Sequence, residues 1–158
     1  MELKKGGVIM LSMKAKYALR ALMVMSQNEK KMLSSKVIAE KANAPSKFLD
    51  NILQELRHHG VVDSKRGIFG GYFLVQSPDN LHLGDIVRMI DGMLAPVPCA
   101  SVTAYRRCDD CEDEATCKIR HVMLSVREAI SNVLDTVSLK ALAQMDLNAG
   151  PLKGLSDP

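Results

Sequence analysis

The sequence predicts a mainly α-helical protein with one small β-hairpin and a long helix near its C-terminus. Aromatic residues make up only 4% of the chain, whereas methionine occurs 10 times and tryptophan is absent. Apolar residues recur at helical spacing in several segments, and only one short region has the pattern of two strands joined by a glycine-rich turn. A core of leucine, isoleucine, valine and methionine with few rings favours helix-on-helix packing.

The length and the charge distribution indicate the domain organisation and the kind of partner. The 158 residues, 47% apolar and 25% charged, suffice for one domain or for a small domain with an added dimerisation element. Residues 1–75 carry 13 Lys and Arg against 6 Asp and Glu, and residues 76–158 carry 8 against 12. The basic half is expected to face phosphates, although an unevenly charged but merely solvated surface is the alternative.

The sequence predicts neither a membrane span nor a signal peptide. No apolar run approaches the roughly 18–20 residues that cross a bilayer, and the apolar segment near the N-terminus is short and followed by lysines. We therefore expect a cytoplasmic protein without membrane contact. Clustered thiols in that compartment are more often metal ligands or redox sensors than structural disulfides.

The first predicted helix spans residues 13–27, and residues 1–12 are interpreted as a disordered extension before it. A second, short helix follows Ser34 and Ser35, whose hydroxyls can cap its first turn. This helix ends before Pro45, because proline lacks an N–H and disfavours helical backbone at the residue before it.

The third predicted helix is capped by Ser46 and ends at Gly60. Its polar residues fall on the face opposite a stripe that we expect to be buried. That stripe consists of Phe48, Leu49, Ile52, Leu53 and Leu56. Two short helices joined by a tight turn form a helix-turn-helix pattern, which alone is a weak indication of DNA binding because many helical hairpins share it.

A basic, glycine-rich hairpin directly follows the third helix. A strand begins at Val61, residues 63–71 form the tip, and residues 72–75 return as the second strand. Lys65 and Arg66 stand at the tip, and its glycines permit positive φ and close approach to another surface. The combination predicts a winged helix, whose third helix enters the major groove while the wing contacts phosphates or the minor groove.

The remaining chain is predicted to contain a fourth helix, a loop and then a long helix. A helix over 81–90 ends at Gly92 and completes a DNA-binding domain over residues 13–92. Residues 93–116 lack periodicity and are predicted to be a loop. Residues 117–147 are predicted to hold a long dimerisation helix and a short terminal helix capped by Ser138, and residues 148–158 a flexible tail.

The long helix carries an apolar stripe with regular three-and-four spacing. The proposed dimerisation residues on it are Ile119, Val122, Met123, Val126, Ile130, Val133 and Val137. Packing on its own domain is one interpretation of this stripe. We favour pairing with a second copy, because a two-fold dimer presents two reading helices to a palindromic site.

Four cysteines lie within nineteen residues at positions 99, 108, 111 and 117. A set of four thiolates is compatible with a [2Fe–2S] or [4Fe–4S] cluster or with tetrahedral zinc. Metal-free thiol or disulfide switching and the absence of any sensory role are the alternatives. An iron–sulfur cluster is readily lost during aerobic purification, so we expect that it can be absent from the purified protein.

Three segments resemble the Rrf2 family, the small bacterial repressors typified by IscR, NsrR and CymR. They are the opening helix at 14–22, the reading helix at 48–53 and the Arg-Gly-x-x-Gly-Gly-Tyr wing at 66–72, and the similarity extends over residues 13–142. The resemblance implies a dimeric winged-helix DNA-binding protein with a long crossing dimerisation helix. In several members, three cysteines before that helix hold an iron–sulfur cluster.

The cysteine spacing departs from the family's common Cys-x5–7-Cys-x5-Cys pattern. Cys111 and Cys117 keep the final interval, but Cys108 lies only three positions before Cys111, and Cys99 lies nine positions before Cys108. Four thiols could complete a site unaided, and His121 is a further possible ligand on the helix. The departure leaves the cluster type and the metal open.

The candidate DNA contacts follow from the pattern and the resemblance. Ser46, Lys47 and Asn51 are the major-groove candidates, and an asparagine at this position suits the N6 and N7 atoms of adenine. Asp50 could accept from cytosine N4 or repel the backbone at wrong sites. The complete predicted set is Lys16, Tyr17, Ser46, Lys47, Asp50, Asn51, Lys65, Arg66, Gly67, Gly70 and Gly71.

Two other classes of protein are the alternatives. The sequence has no nucleotide-binding glycine motif, no placed Ser-His-Asp set and no His-Glu-x-x-His, so we expect that it is not an enzyme. An iron–sulfur or zinc redox carrier would not need the basic hairpin. An adaptor would use the winged helix for protein contacts instead of DNA.

Overall fold

The computed structural model describes residues 11–29 and 31–150. It has a mainly helical fold with one antiparallel two-stranded hairpin, as the sequence predicts. The elements are α1 (Met13–Ser26), α2 (Ser35–Lys41), α3 (Ser46–His58), β1 (Val62–Lys65), β2 (Gly71–Leu74), α4 (Leu83–Asp91), α5 (Lys118–Leu134) and α6 (Leu139–Ala143). Short 3-10 turns lie at Pro98–Ala100 and Leu147–Ala149.

The boundaries of the predicted terminal segments need correction. Leu11 packs against the core, and the Ser12 hydroxyl caps α1 by accepting from the Ala15 N–H at 3.0 Å. The Ser12 N–H donates to the Asp91 carboxylate on α4 at 3.1 Å. The fold therefore starts before residue 13, and residues 1–10 of the predicted extension lie outside the described residues. The predicted tail begins in the last 3-10 turn, and residues 151–158 are likewise outside the described part.

Serine caps set the start of two other helices, but not of α3. Ser34 caps α2 and Ser138 caps α6, as expected. The N-cap of α3 is Pro45, so the prediction that Ser46 caps this helix is wrong. Pro45 has extended backbone, and its carbonyl accepts from the Phe48 and Leu49 N–H groups at 3.0 and 2.9 Å. Ser46 is instead the first helical residue, and its side chain is exposed.

The central helix of the core is α1, which contacts α2, α3, α4 and α6. Ala15, Ala18 and Ala21 are fully buried, and their small side chains let neighbouring helices approach closely. The remaining fully buried aliphatic residues include Leu22, Ile38, Leu49, Ile52, Leu53, Leu56, Val61, Ile86 and Leu139. Leu139 comes from α6, so this short helix returns to the winged-helix core after the long helix.

Two residues that were assigned to the apolar stripes have a different environment in the structure. Phe48 is 39% exposed rather than buried, because it lies at the edge of the stripe beside the fully buried Leu49, where its ring packs edge to face on Tyr17. The stripe on the long helix ends with α5 at Leu134, and the chain turns before Val137. Val137 is only 8% exposed, and its carbonyl accepts from the Leu83 N–H at 3.1 Å. The assignment of Val137 to the dimerisation face is therefore wrong.

The wing is held against the body of the domain by a third extended segment. Strands β1 and β2 pair from Val62 opposite Leu74 to Lys65 opposite Gly71. Leu33 forms a bridge on the outer side of β2: its N–H donates to the Tyr72 carbonyl at 3.0 Å, and its carbonyl accepts from the Tyr72 N–H at 2.8 Å. The direction of the wing is thus set by the segment between α1 and α2.

Candidate nucleic-acid interface and cysteine loop

The outer face of α3 presents polar side chains to solvent. The apolar side chains of Leu49, Ile52 and Leu53 are fully buried, and this orients the opposite side of the helix outward. Lys47 and Asn51 are exposed there, Ser46 is exposed at the start of the helix, and Asp50 is half-buried. The three predicted major-groove residues are therefore all accessible, and Asp50 is less so.

The start of α1 is joined to the start of α3 by aromatic contact. The ring of Tyr17 meets the ring of Phe48 edge to face, with centroids 5.7 Å apart. The Arg20 guanidinium lies 6.0 Å from the centroid of the Tyr17 ring, and Lys16 is exposed beside it. Tyr17 is thus a bridge between helices as well as a candidate phosphate contact. Arg20 was missed in the sequence, although its position three residues after Tyr17 places both on one helix face.

The three glycines of the wing differ in what a side chain at each position would contact. A Cβ on Gly70 would lie 2.2 Å from the Lys65 carbonyl oxygen, and a Cβ on Gly71 would lie 2.7 Å from the Leu33 carbonyl group. Gly67 has φ of +117°, but a Cβ there would meet no atom within 4 Å. Glycine at 70 is thus required by the hairpin itself and glycine at 71 by the neighbouring Leu33 segment, whereas Gly67 leaves open space that a partner could approach.

The tip of the wing combines cations with two exposed apolar side chains. Lys65 and Arg66 are exposed, and the Lys65 ammonium lies 6.0 Å from the centroid of the Phe73 ring. Ile68 is 97% exposed and Phe69 is 93% exposed. Sequence reasoning did not single out these two residues, although apolar residues between the glycines of a turn are a visible signal.

An ion pair connects the end of α3 to the base of the wing. The Arg57 Nε donates to the Asp63 carboxylate at 2.9 Å, and the Ser64 N–H donates to the same oxygen at 2.8 Å. These two hydrogen bonds, the backbone one first, lower the pKa of Asp63. Because Arg57 is paired inside the subunit, it is a weaker candidate for phosphate contact than Lys65 or Arg66.

The cysteine loop brings two of its four thiols into contact. Cys99 lies in the 3-10 turn and is 5% exposed, and its Sγ accepts from the Cys108 Sγ at 3.7 Å. This hydrogen bond is the largest of the influences that raise the pKa of Cys108. The Cys117 Sγ caps α5 by accepting from the Arg120 N–H at 3.4 Å.

The other candidate ligands do not join that pair. Cys111 is half-buried, and its N–H donates to the Cys108 carbonyl at 3.3 Å. His121 is exposed on α5. Over residues 11–29 and 31–150, no group of three or more His, Cys, Asp or Glu side chains is gathered as a metal site.

The family is decided by comparison with known proteins. Residues 11–145 match the Rrf2 family, described as an iron-dependent transcriptional regulator. The chain belongs to the Rrf2 family of transcriptional regulators. It is 41% identical over 135 residues to an rrf2-like HTH-type transcriptional regulator of Rhodobacter capsulatus, covering 83% of this chain and 90% of that protein. It is 32% identical to the HTH-type transcriptional regulator CymR of Bacillus subtilis, covering 84% and 88%.

Solved structures of Rrf2-type regulators share the fold. CymR, the global cysteine regulator of B. subtilis, superposes with a TM-score of 0.71 at 30% identity, covering 88% of this chain and all of that one. IscR of T. potens superposes with a TM-score of 0.68 at 26% identity, covering 92% and 93%. The predicted family and winged-helix fold are confirmed.

Membership of the Rrf2 family sets the general function. The chain is a helix-turn-helix, DNA-binding transcriptional regulator. The relatives are named as regulators and not as enzymes, which agrees with the prediction that this chain is not an enzyme. Among the helices of the described residues, none is both long and apolar enough to cross a membrane.

Proposed function

We propose that this Rrf2-family chain is a homodimeric repressor that reads a palindromic operator with α3 and the wing. Its operator affinity would be set through the cysteine loop over residues 93–116. The observation that carries the proposal is the accessible polar face of α3 beside a wing whose cations are exposed. The family match supports DNA as the partner of that surface.

The proposed contacts divide into base readout and backbone contact. Ser46, Lys47 and Asn51 on the exposed face of α3 would read base edges in the major groove. Lys16 and Tyr17 at the start of α1 would contact phosphates, which fix register but carry no sequence information. From the wing, Lys65, Arg66 and Gly67 would contact the DNA backbone. Gly70 and Gly71 would maintain the shape of the wing.

Dimerisation is proposed for α5 because its apolar stripe is only partly covered inside the described subunit. None of its residues is buried, and Ile119 and Val122 are 71% and 55% exposed. The other proposed contacts, Met123, Val126, Ile130 and Val133, are half-buried. Exposed aliphatic side chains at helical spacing are stabilised by burial against a second helix. A two-fold pair of α5 helices would hold two copies of α3 at a fixed separation, as a palindrome requires.

Regulation through the cysteine loop is proposed from its position before α5. A cluster or zinc site would need three or four thiolates together, but only the sulfurs of Cys99 and Cys108 are in contact here. The present arrangement therefore does not fit an iron–sulfur cluster or zinc. Both groups remain sequence-based expectations, and the redox state of the thiols is the form of regulation that the geometry supports better.

Titration of the purified full chain onto its own upstream DNA tests the central proposal. Fluorescence anisotropy with that duplex and a scrambled duplex, combined with sedimentation of the complex, should show specific binding of two subunits per site. Transcription from the same promoter in vitro should fall as protein is added. Equal affinity for both duplexes, or one subunit per site, would contradict the proposal, and increased transcription would contradict the repressor role.

A further inference from the structure

We infer that Cys99 and Cys108 form a peroxide-responsive thiol pair that closes to an intramolecular disulfide and thereby resets the start of α5. The chemistry of the pair stands on geometry alone. Its regulatory consequence rests on the proposed function, because it needs an operator whose affinity can change.

The two sulfurs are already close enough for a small local movement to join them. They lie 3.7 Å apart, and a disulfide bond of about 2.05 Å needs a closure of about 1.7 Å. Cys99 is 5% exposed in a 3-10 turn, so it is fixed by its surroundings. Cys108 is half-buried in a loop whose neighbours Arg107 and Asp109 are exposed. The movement should therefore fall on Cys108.

The reaction balances with a hydroperoxide such as hydrogen peroxide as the oxidant. The sulfur of Cys108, the more accessible of the two, attacks one peroxide oxygen and loses its own proton; the O–O bond breaks, and the leaving hydroxide takes up that proton to become water. The resulting sulfenic acid is attacked by the Cys99 sulfur, which loses its proton as the S–S bond forms and a second water leaves. Two thiols are oxidised by two electrons, and the peroxide is reduced to two waters.

The pair is connected to α5 through hydrogen bonds at its first turn. The Cys99 carbonyl accepts from the Arg120 Nε at 3.1 Å, and the Arg120 N–H donates to the Cys117 Sγ cap. Arg120 follows Ile119, the first residue of the apolar stripe proposed for dimerisation. The loop that would move with Cys108 runs directly into the Cys117 cap, while Arg120 stays bound to the fixed Cys99 carbonyl. The movement would thus act at the first turn of α5, where the two subunits are proposed to meet. Two discrete loop states of this kind can bias operator affinity.

Cys111 supplies a matched control for the pair. It lies in the same loop and is also half-buried, but its hydrogen bonds, to the Cys108 carbonyl and from the Arg107 guanidinium, are made by its backbone and not by its sulfur. Cys111→Ser therefore removes one thiol of the loop while it leaves the Cys99 and Cys108 sulfurs in place. Cys108→Ser is preferred to Cys99→Ser as the disabling variant, because Cys108 is the less buried residue.

The test compares the reduced full chain with the chain treated with hydrogen peroxide after chelation of metals. Trypsin cleaves after Arg106 and Arg107, so Cys99 falls in peptide 89–106 and the other three cysteines in peptide 108–118. We expect mass spectrometry to find these peptides joined through Cys99 and Cys108 in the wild type and in Cys111→Ser. The link should be reversed by dithiothreitol and absent from Cys108→Ser.

Titration of the same samples onto the operator tests the regulatory consequence of the proposal. Oxidation should change the Kd of the wild type and of Cys111→Ser by at least about fivefold, and should leave Cys108→Ser unchanged. The proposed Cys99–Cys108 pair would be contradicted if the peptides were linked through Cys111 or Cys117, or if no link formed. It would also be contradicted if bound metal protected the thiols before chelation. A correct link with unchanged Kd would overturn its regulatory consequence. Reduced protein that binds no operator would instead contradict the proposed function, whatever the peptide map shows.

A separate observation on the wing supports a second inference. We propose that Ile68 and Phe69 enter the minor groove and that Phe69 wedges between neighbouring base pairs. This proposal also rests on DNA binding. The two side chains are 97% and 93% exposed at the tip of a tight turn, in which the Gly70 N–H donates to the Gly67 carbonyl at 2.9 Å. Water contact of two large apolar side chains is unfavourable, and burial against a partner relieves it.

The charges around the tip favour DNA as that partner. Lys65 and Arg66 precede the apolar pair directly, and both are exposed. Phosphates line the minor groove, so the cations would contact the backbone while the tip reaches the bases. Apolar wedges inserted from the minor groove unstack base steps and bend the duplex.

The wedge is tested with 2-aminopurine placed at successive positions beneath the wing. Binding should raise its fluorescence at one step, and circular-permutation gels should show a bend. The double variant Ile68→Ser with Phe69→Ser should lose both signals and about tenfold or more of the affinity. Val102→Ser is the matched control, because Val102 is 76% exposed in the cysteine loop. Unstacking retained by the double variant, or an equal loss in the control, would overturn the proposal.

Discussion

Replacement of Gly71 by alanine tests how the wing is held in place. The Cβ of alanine would lie 2.7 Å from the carbonyl group of Leu33, and φ at this position is +153°. Strand β2 would have to move away from Leu33, which breaks the hydrogen bonds of 3.0 and 2.8 Å between Leu33 and Tyr72. We therefore expect both lower stability and a displaced wing.

The size of the effect follows from two contributions. Unfavourable backbone conformation costs about 1–3 kcal/mol, and two lost hydrogen bonds cost about 1 kcal/mol each. Partial relaxation of the hairpin reduces the total, so Gly71→Ala should lower the free energy of unfolding by about 2–4 kcal/mol. For a chain of this length this corresponds to a decrease in Tm of roughly 5–15 °C.

Gly67→Ala is the matched control. Its φ of +117° is also unfavourable for alanine, but its Cβ would meet no atom within 4 Å. It should therefore cost only the backbone contribution, about 1–3 kcal/mol. Urea unfolding at one protein concentration compares the two variants, and amide exchange should show loss of protection at Leu33 and Tyr72 in Gly71→Ala alone. Equal stability of both variants with protected amides would refute this account of the wing.

Four further expectations concern DNA binding, assembly, the core and pH. Arg66→Ala should weaken binding to all duplexes and reduce the slope of log K against log salt by about one, measured by anisotropy at several salt concentrations. Val122→Glu should convert the proposed dimer to single subunits in sedimentation, because it places a charge on the exposed stripe of α5. Leu139→Ala should lower the free energy of unfolding by about 2–5 kcal/mol in urea, because Leu139 is fully buried. Lys140 lowers the pKa of Asp79, so the stabilisation from this pair is present above the unfolded-state pKa and is lost as pH falls through the folded-state pKa. Asp79→Asn should therefore reduce the acid-dependent decrease in Tm.

Matched variants separate these effects from general damage. Arg106→Ala removes an exposed cation from the cysteine loop and should leave the salt slope unchanged. His121→Glu adds a charge to α5 beside Val122 but off the stripe, and should leave the dimer intact. Ala141→Gly on α6 tests whether Leu139→Ala acts through its buried side chain rather than through helix propensity. A steeper salt slope, a dimeric Val122→Glu, a small Leu139→Ala effect, or an unchanged acid dependence would each contradict its prediction.

Local sequence patterns were sufficient to predict most of the fold. The limits of α1, the cap at Ser34 and the αL end of α4 at Gly92 are properties of short segments, and the structure has them where the sequence predicts them. The glycine-rich wing was also recognisable, because its turn needs a residue without a side chain at 70. Such features depend on backbone sterics and on neighbours a few residues away, so one sequence records them directly.

The candidate site was predicted less completely. The exposed face of α3 follows from helical periodicity, so Lys47 and Asn51 could be named in advance. The contact between Tyr17 and Phe48 could not, because it depends on how two helices cross. Ser46 was misread as a cap because Pro45 can serve that position without a side-chain hydrogen bond.

The sequence by itself determined that this protein is a winged helix with a basic hairpin, a cysteine-bearing loop and a long apolar-striped helix. Only the tertiary structure decided that Val137 is buried in its own subunit, that Leu139 completes the core, and that the sulfur of Cys108 contacts the sulfur of Cys99. The physical reason is the range of the interactions. Caps, turns and periodic faces arise within one or two turns of chain, whereas pairs of distant residues meet only where the packed helices bring their loops together.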